Sequence, residues 1–380
     1  MAIGIYVGVN GVAKKVKKPY IGVNNVARRV KRVYIGISGK AQLCWNDGTL
    51  AFCGRATNLS VARRLFEGGA ASIGPYALFF GGQKSGGYSD IVEAYTENKV
   101  RVSAPSLSAA RGQGAAATVG NYAIYAGGTS NSGKHSNADA YDSSLTRRSV
   151  TDLPYQEHAL RATSVGSYAI FAGGSLPDSK VYPYVCAYNA SLTRYSVSNL
   201  RNNQYRAAAA TVGNYAIFAG GYSDYPRAEG TAYNQSLSQY AVPDLSVARS
   251  FLTATNVGNY AIFSGGEASD GESDAADAYN NTLTKVTIQK LTRKRSAPAS
   301  TSVGNYAIIM GGFEQVSANV DVYDSTLTHS VYADKEGGYH MVWRSYMAAT
   351  RVGKKAIFAG GCTNTSTSGY RAEVIYFTAG

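Results

Sequence analysis

Residues that bind metals are scarce in this chain, and those present are scattered. It has four cysteines (Cys44, Cys53, Cys186, Cys362) and four histidines (His135, His158, His329, His340) among 380 residues. No cysteine pair has CxxC spacing, so neither a zinc site nor a disulfide framework is signalled, and buried free thiols are expected. No segment reaches 18 consecutive apolar residues, which argues against a transmembrane helix. The start, MAIGIYVGVNGVAKK, lacks the basic, apolar, small-residue order of a secretory signal, so a cytosolic translation product is expected. Acidic residues are few as well, 24 against 37 Lys and Arg, for a net charge of +13.

What the chain has in abundance is repetition. TVGNYAIYAGG (118–128) returns as SVGSYAIFAGG (164–174), TVGNYAIFAGG (211–221), NVGNYAIFSGG (256–266) and SVGNYAIIMGG (302–312), with looser copies at 72–82 and 351–361. The second Gly of each pair falls at Gly82, Gly128, Gly174, Gly221, Gly266, Gly312 and Gly361, in steps of 46, 46, 47, 45, 46 and 49. A period near 46 with four short strand signals per unit is a propeller signature. In the unit 206–242, AAAATV, YAIFAGG, GTAYN and QYAV read as four antiparallel strands, the second apolar on both faces because blades pack on either side. The Gly pair is expected where backbones crowd. A tyrosine at the third strand of every unit (Tyr95, Tyr141, Tyr188, Tyr233, Tyr279, Tyr323, Tyr376) reads as packing. The last unit lacks a fourth strand at its carboxyl end, and TLAFCG (49–54) stands unclaimed before the first. Residues 49–54 are therefore expected to complete the seventh blade and spare the ring an open edge.

The Gly-Gly pair, the later Tyr and an Arg before the first strand resemble kelch repeats over about 330 residues. The resemblance implies an all-β, seven-bladed kelch-like propeller over 49–380. One departure is the fourth strand, where kelch units carry Trp and this chain has Val150, Val197 or Val242.

The 3–4 turns agree from unit to unit (YDSSLT, YNASLT, YNQSLS, YNNTLT, YDSTLT), and so do the 1–2 turns. The 2–3 loops all differ, which places individual chemistry on the face formed by the 2–3 and 4–1 loops. On that face Arg111, Arg249, Arg295 and Arg344 stand eight residues before the Val ending strand one. Arg64 is one register off, and Arg161 and Arg206 break the spacing. Such a ring suits carboxylates or acidic sugars, or else bridges the blades. The longest 4–1 loop, YADKEGGYHMVWR (332–344), adds Tyr339, His340 and Trp343 as a binding candidate, or as a plug of the channel mouth. The acidic loop 267–277 reads as solvated, with calcium as the alternative. The sequons NAS, NQS and NNT read as turn chemistry. No metal or other cofactor is expected.

Residues 1–48 are different. Tyr6, Tyr20 and Tyr34, and Gly8, Gly22 and Gly36, recur every 14 residues, with two-residue hairpin turns at 10–11, 24–25 and 38–39. A β-hairpin meander of three to four strands is expected, with Pro19 at an edge or bulge. It carries Lys14, Lys15, Lys17, Lys18, Arg28, Arg29, Lys31, Arg32 and Lys40 against Asp47 alone, a charge of +8. The pattern GVN-x-VA-[KR][KR]-VK[KR]-x-YIG, ending in Cys44-Trp45, resembles the amino-terminal segment of virion structural proteins of phages and prophages of gut Firmicutes. That resemblance implies a basic anchor docking to other virion proteins, in multiple copies, beneath a displayed propeller on tail or capsid. The expected ligand is a host-surface glycan or protein, with no membrane contact. Two alternatives stand beside it: a kelch-type sugar-modifying enzyme, epimerase- or oxidase-like, and a nucleic-acid role for the basic meander. An oxidase-type copper site needs two His with Tyr on the axis, and no such set emerges among the four histidines.

Overall fold

The unit at 206–242 folds strand for strand as its sequence reads. Ala208–Val212, Tyr215–Ala219, Gly230–Asn234 and Gln239–Val242 pair in that order into one antiparallel sheet. The computed structural model describes residues 49–379 apart from 67, 179, 314–318, 333–343 and 364–368, together with short strand segments within 1–48. Six further four-stranded sheets repeat the arrangement, and no α-helix occurs among the described residues. The innermost strands contact one another in a closed cycle. From Ala70–Ile73 the cycle passes through the first strand of each blade to Ala348–Val352 and back. Hydroxyls help link these strands: Thr118 Oγ1 donates to the Ser72 carbonyl, Ser164 Oγ to that of Thr118 and Thr211 Oγ1 to that of Ser164.

The ring closes as expected. Ala51–Arg55 pairs antiparallel with Val374–Thr378 and supplies the fourth strand of the seventh blade. The two ends of the propeller chain thus lie in one sheet, and no blade presents an unpaired edge for want of a strand.

The core sits between blades. Seven hydrophobic clusters occupy the seven seams, one each. Second strands such as Tyr215–Ala219 are buried at four of five positions because both of their faces meet a neighbour. The Gly pair belongs to the same seams. In every blade the N–H of the second Gly donates to a carbonyl at the entrance of the next blade: Gly82 to Arg111, Gly221 to Arg249, and finally Gly361 back to Arg63. A Cβ at Gly81 would stand 2.2 Å from the Arg111 carbonyl oxygen, and Gly81 and Gly82 have φ of +49° and +105°. Only glycine meets both demands.

The 3–4 turns explain the sequons. Asn234 Oδ1 accepts the backbone N–H of Ser236 and Ser238, and Leu237 takes φ +60° between them. Asn189, Asn280, Asp142 and Asp324 cap their turns in the same way. Leucine is an unfavourable choice for the left-handed region, and burial of its side chain offsets that cost, as at Leu145.

Six of the seven repeated tyrosines bind the preceding blade. Tyr141 donates to Pro105 O at 2.8 Å and Tyr279 to Pro243 O at 2.6 Å. Tyr95 donates to Thr57 O, just past the closing strand. Tyr376 is the exception. Its strand pairs one residue out of step, so Phe377 takes the position opposite Ala356 that tyrosine takes opposite Ala77 and its equivalents. Tyr376 instead donates to Thr96 O of the first blade.

In residues 1–48 the three hairpins form where expected, with Val9 opposite Val12, Val23 opposite Val26 and Ile37 opposite Lys40. They are three separate two-stranded sheets, not one continuous meander: among the described strands none pairs with a strand of the next hairpin. Tyr6–Val9 pairs only with Val12–Lys15, which ends before Pro19. Pro19 itself lies outside the described residues.

Candidate functional site at the mouth of the axis

Most of the arginine ring is closed to a ligand. Arg111 and Arg249 are 0% exposed and Arg344 2%. Arg111 Nη2 lies 2.8 Å from Asp139, Arg249 Nη2 2.8 Å from Asp277 and Arg295 Nη2 2.7 Å from Asp321; the Arg344 guanidinium reaches Glu373 at 3.8 Å. The register partner in the first blade is Arg63, not Arg64. It is 0% exposed and lies 2.8 Å from Glu93, displaced in sequence because extra residues enter before strand one. Each side chain joins the entrance of its blade to strand three of the same blade or, for Arg344, to Glu373 just before that strand, so the ring is a set of internal clamps. Burial pulls Arg63, Arg249 and Arg295 below the ordinary arginine range against the opposing pull of their carboxylates, and Arg344 to about 10. The carboxylate also holds backbone: Asp139 accepts the N–H of Ser108 from the loop entering its blade, as Asp277 does for Ser246.

Blades three and four lack the clamp. Glu157 and Gln204 occupy the arginine register, and Cys186 and Thr231 the carboxylate register. Pro154 stands where Ser108 does and has no N–H to satisfy, so Cys186 need not accept one. In blade four Thr231 Oγ1 accepts the N–H of Arg201. Burial without an ion-pair partner among the described residues pushes the Glu157 carboxyl up to about 8. Burial likewise lowers His158 to about 4 and raises Cys186 to about 12.

The residues that do face the mouth follow these positions. One residue per blade, just before strand one, adopts a left-handed conformation: Phe66, Gln113, Ala159, Arg206, Phe251, Ala297 and Tyr346, with φ from 50° to 60°. Backbone N–H groups link them around the axis, Ala159 to Gln113, Arg206 to Ala159, Phe251 to Arg206, Ala297 to Phe251, Tyr346 to Ala297 and Phe66 to Tyr346. Seven non-glycine residues in this sparsely populated region mark a belt that its surroundings hold in place. Phe66, Gln113, Arg206, Phe251 and Tyr346, with Arg64 and Arg161, line a cavity of about 150 Å³. Arg64 lies 5.4 Å from the ring centres of both Phe66 and Tyr346 and donates to Gln83 Oε1. Arg206 lies 4.8 Å from Tyr205 and 4.2 Å from Phe251. Neither Arg64 nor Arg206 has a carboxylate partner among the described residues. Arg64 is thus the one expected ring member that reaches the mouth; of the two residues that break the spacing, Arg206 lines the mouth half-buried and Arg161 lines it 8% exposed.

A second cavity, of about 370 Å³, shares Arg206 and Phe251 with the first and runs outward between the loops of blades four and five. Tyr339, His340 and Trp343 lie outside the described residues, as do Lys17, Lys18 and Lys31. Lys14 and Lys15 fall on Val12–Lys15, Arg28 and Arg29 on Val26–Arg29, and Arg32 opens Arg32–Ile37. In the acidic loop Glu267 pairs across a short ladder with Glu272, while Asp277 is taken by Arg249. Among the described residues no group of three His, Cys, Asp or Glu is placed to hold a metal. His135 bonds Asn137 and Ser130, and His329 bonds Asp321 away from the mouth. Cys186 and Cys362 are buried free thiols, and Cys53 Sγ donates to the Ala51 carbonyl oxygen.

No protein-family model matches this chain, and no curated protein matches it by sequence. Among solved structures it resembles YjhT, a kelch-repeat propeller, with a TM-score of 0.57 over 73% of this chain and 99% of that one. At 12% sequence identity, what the two share is the propeller fold.

Proposed function

We propose that this protein is a binding module of a virion, a tail or capsid appendage, which presents the loop face of its propeller to a glycan or protein on a bacterial surface. Residues 1–48 act as its basic anchor on neighbouring virion proteins. The observation that carries the binding half is the contrast among arginines. Five are buried and paired with carboxylates, while Arg64 and Arg206 are held at the mouth over aromatic rings with no carboxylate partner among the described residues. A guanidinium fixed over ring faces is ready to take an acceptor without paying for its own ordering. The anchor half is supported by charge: +8 lies in the first 48 residues, on three repeated hairpins too thin to stand alone.

The test is a cell-binding assay with the labelled full chain on a panel of gut bacteria. Saturable binding to some strains, weakened at least tenfold by Arg64→Ala at unchanged thermal stability, is the expected result. Absence of binding to every strain would overturn the display reading.

A further inference from the structure

The cavity between blades four and five differs in chemistry from the axial mouth it joins. Its walls are two loop ladders of fixed register, Tyr205 paired to Tyr222 and Tyr222 to Pro226 on one side, Ser250 to Glu267 on the other. Side chains there are positioned by sheet-like backbone, which is the preorganisation that a binding site needs. Tyr205 and Tyr222 meet edge to face, centroids 5.9 Å apart at 85°, so their ring planes are crossed. Tyr225, 57% exposed, stands at the outer end with Arg227 stacked 4.1 Å from its ring centre. At the inner end is the Arg206 guanidinium, and Asp224 and Glu267 expose their carboxylates along the walls with no ion-pair partner among the described residues.

We infer that this groove binds a glycan chain bearing an anionic substituent, its rings against the tyrosines and its charged group on Arg206. Three features select that class. Flat aromatic rings match the C–H faces of pyranoses, an apolar body beside a polar rim. Asp224, Glu267 and the tyrosine hydroxyls offer acceptors for ligand hydroxyls. Arg206 offers a planar fork for a carboxylate or phosphate oxygen pair at the inner end, where the groove meets the axial cavity. A protein partner is the poorer fit, because the centre of a protein interface is depleted of charge and anchored by apolar side chains. The lining here has a charged residue at either end, and its aliphatic members are Pro226 and Ala268. The volume, about 370 Å³, lies in the range of small-molecule pockets and accommodates a short run of sugar rings. The inference rests on the display reading above and narrows it to one ligand class and one pair of blades.

The experiment uses the full chain on an array of bacterial oligosaccharides, neutral, uronate-containing and phosphate-containing, with polygalacturonate fragments and a neutral glucan of equal length as solution probes. The expected result is binding to anionic members, with the uronate and phosphate arms showing which anion is preferred. Tyr225→Ala and Tyr222→Ala should each weaken it at least tenfold with an unchanged melting temperature. Arg206→Gln should erase the preference for the anionic over the neutral chain, and Arg206→Lys should restore part of it. Glycan binding lost in Arg64→Ala but indifferent to the tyrosine variants would overturn the groove and leave the display reading intact. Attachment to cells that protease treatment of the cells abolishes, with no glycan bound, would overturn the carbohydrate assignment alone. Binding to neither glycans nor cells would overturn both.

Discussion

Blades three and four can be set against the other five. The five share a buried arginine clamped to a carboxylate on strand three or, in blade seven, just before it; the two share neither, yet all seven have four strands and the Gly-Gly seam, and blades two to six share the 3–4 turn. The clamp is therefore not what makes a blade. It is a buried ion pair whose two halves need each other, and where one half is gone the other is gone too: Glu157 stands over Cys186, and Gln204 over Thr231. Losing both partners together avoids leaving a charge alone in the core. The loops of one unclamped blade, the fourth, also supply Tyr205, Arg206, Tyr222 and Tyr225 to one wall of the inferred groove, whose other wall belongs to the clamped fifth blade.

The sharpest way to break this comparison is to remove one half of a clamp. Asp277→Ala leaves Arg249 buried and unpaired, and strips the N–H of Ser246 of its acceptor. A loss of about 3–5 kcal/mol is expected. Thr231→Ala, at the same position in blade four, gives up only a hydroxyl bond to Arg201, about 1 kcal/mol. Urea unfolding of the two variants checks this, and equal losses would mean that the arginine clamp carries no special weight.

Next in size is a pH effect confined to an unclamped blade. The Glu157 carboxyl lies near 8 in the folded protein against an ordinary 4.5. Below pH 4.5 it is protonated folded or unfolded, and pH does not matter. Between 4.5 and 8 the unfolded chain ionises and the folded one does not, so this group costs stability as pH rises, about 1.4 kcal/mol per pH unit at most. Above 8 the penalty is constant. Glu157→Gln should match the wild type at pH 4 and exceed it by about 2–4 kcal/mol at pH 8. His158, lowered to about 4, loses stability as pH falls from 6.5 to 4, but both proteins carry it and it cancels in the difference. A pH-independent difference between the two proteins would refute the assignment.

A smaller contrast sets Tyr279 against Phe377. Tyr279→Phe removes the bond to Pro243 O and should cost about 0.5–1.5 kcal/mol. Blade seven already lacks that hydroxyl at the matching position. There Phe377 packs edge-on to Phe52 and Phe358, and the N–H of Phe52 finds the Tyr332 hydroxyl instead. Phe377→Leu should therefore cost through lost packing, with no change in exchange protection of the Thr57 or Pro105 neighbourhood; altered protection there would show the seams to be coupled around the ring.

Much of this was legible in the chain because seven copies act as their own alignment. Strand order, the seam glycines, the turn role of the sequons and closure by 49–54 follow from period and punctuation. What spacing missed came from small local shifts. Extra residues before strand one in blade one moved the clamp to Arg63 and left Arg64 at the mouth. A register shift between Tyr376 and Phe377 against the closing strand accompanies the different partner of the seventh tyrosine, which is packed in the core like the other six. The clamp partners carried a readable signal in six blades: the second residue of strand three is Glu93, Asp139, Asp277 or Asp321 where arginine is present, and Cys186 or Thr231 where it is not, while in blade seven that position is Ile375 and the partner, Glu373, precedes the strand. The axial belt carried none, since Phe, Gln, Ala, Arg and Tyr all occupy one left-handed position and share only backbone geometry. In 1–48 the two-residue turns were readable, but pairing between hairpins depends on contacts that a 14-residue period does not encode.

The smallest expected effect marks what the two kinds of blade have in common. Asn189 in blade three and Asp142 in blade two each offer one side-chain oxygen to two backbone N–H groups of the 3–4 turn. The accepting oxygen is the same whether its carbon also bears an amide or a second oxygen. Asn189→Asp and Asp142→Asn should each change stability by less than about 0.5 kcal/mol at pH 7. Asp142 is held below the usual carboxylate range chiefly by the N–H of Thr146, so it stays ionised into mild acid and the equivalence should persist there. Asn189→Ala removes the acceptor altogether and should cost about 0.5–2 kcal/mol, the range for a lost capping residue. If Asn189→Asp proved as costly as Asn189→Ala, the turn of an unclamped blade would differ in kind from that of a clamped one, and the division between the blades would reach beyond the arginine and its partner.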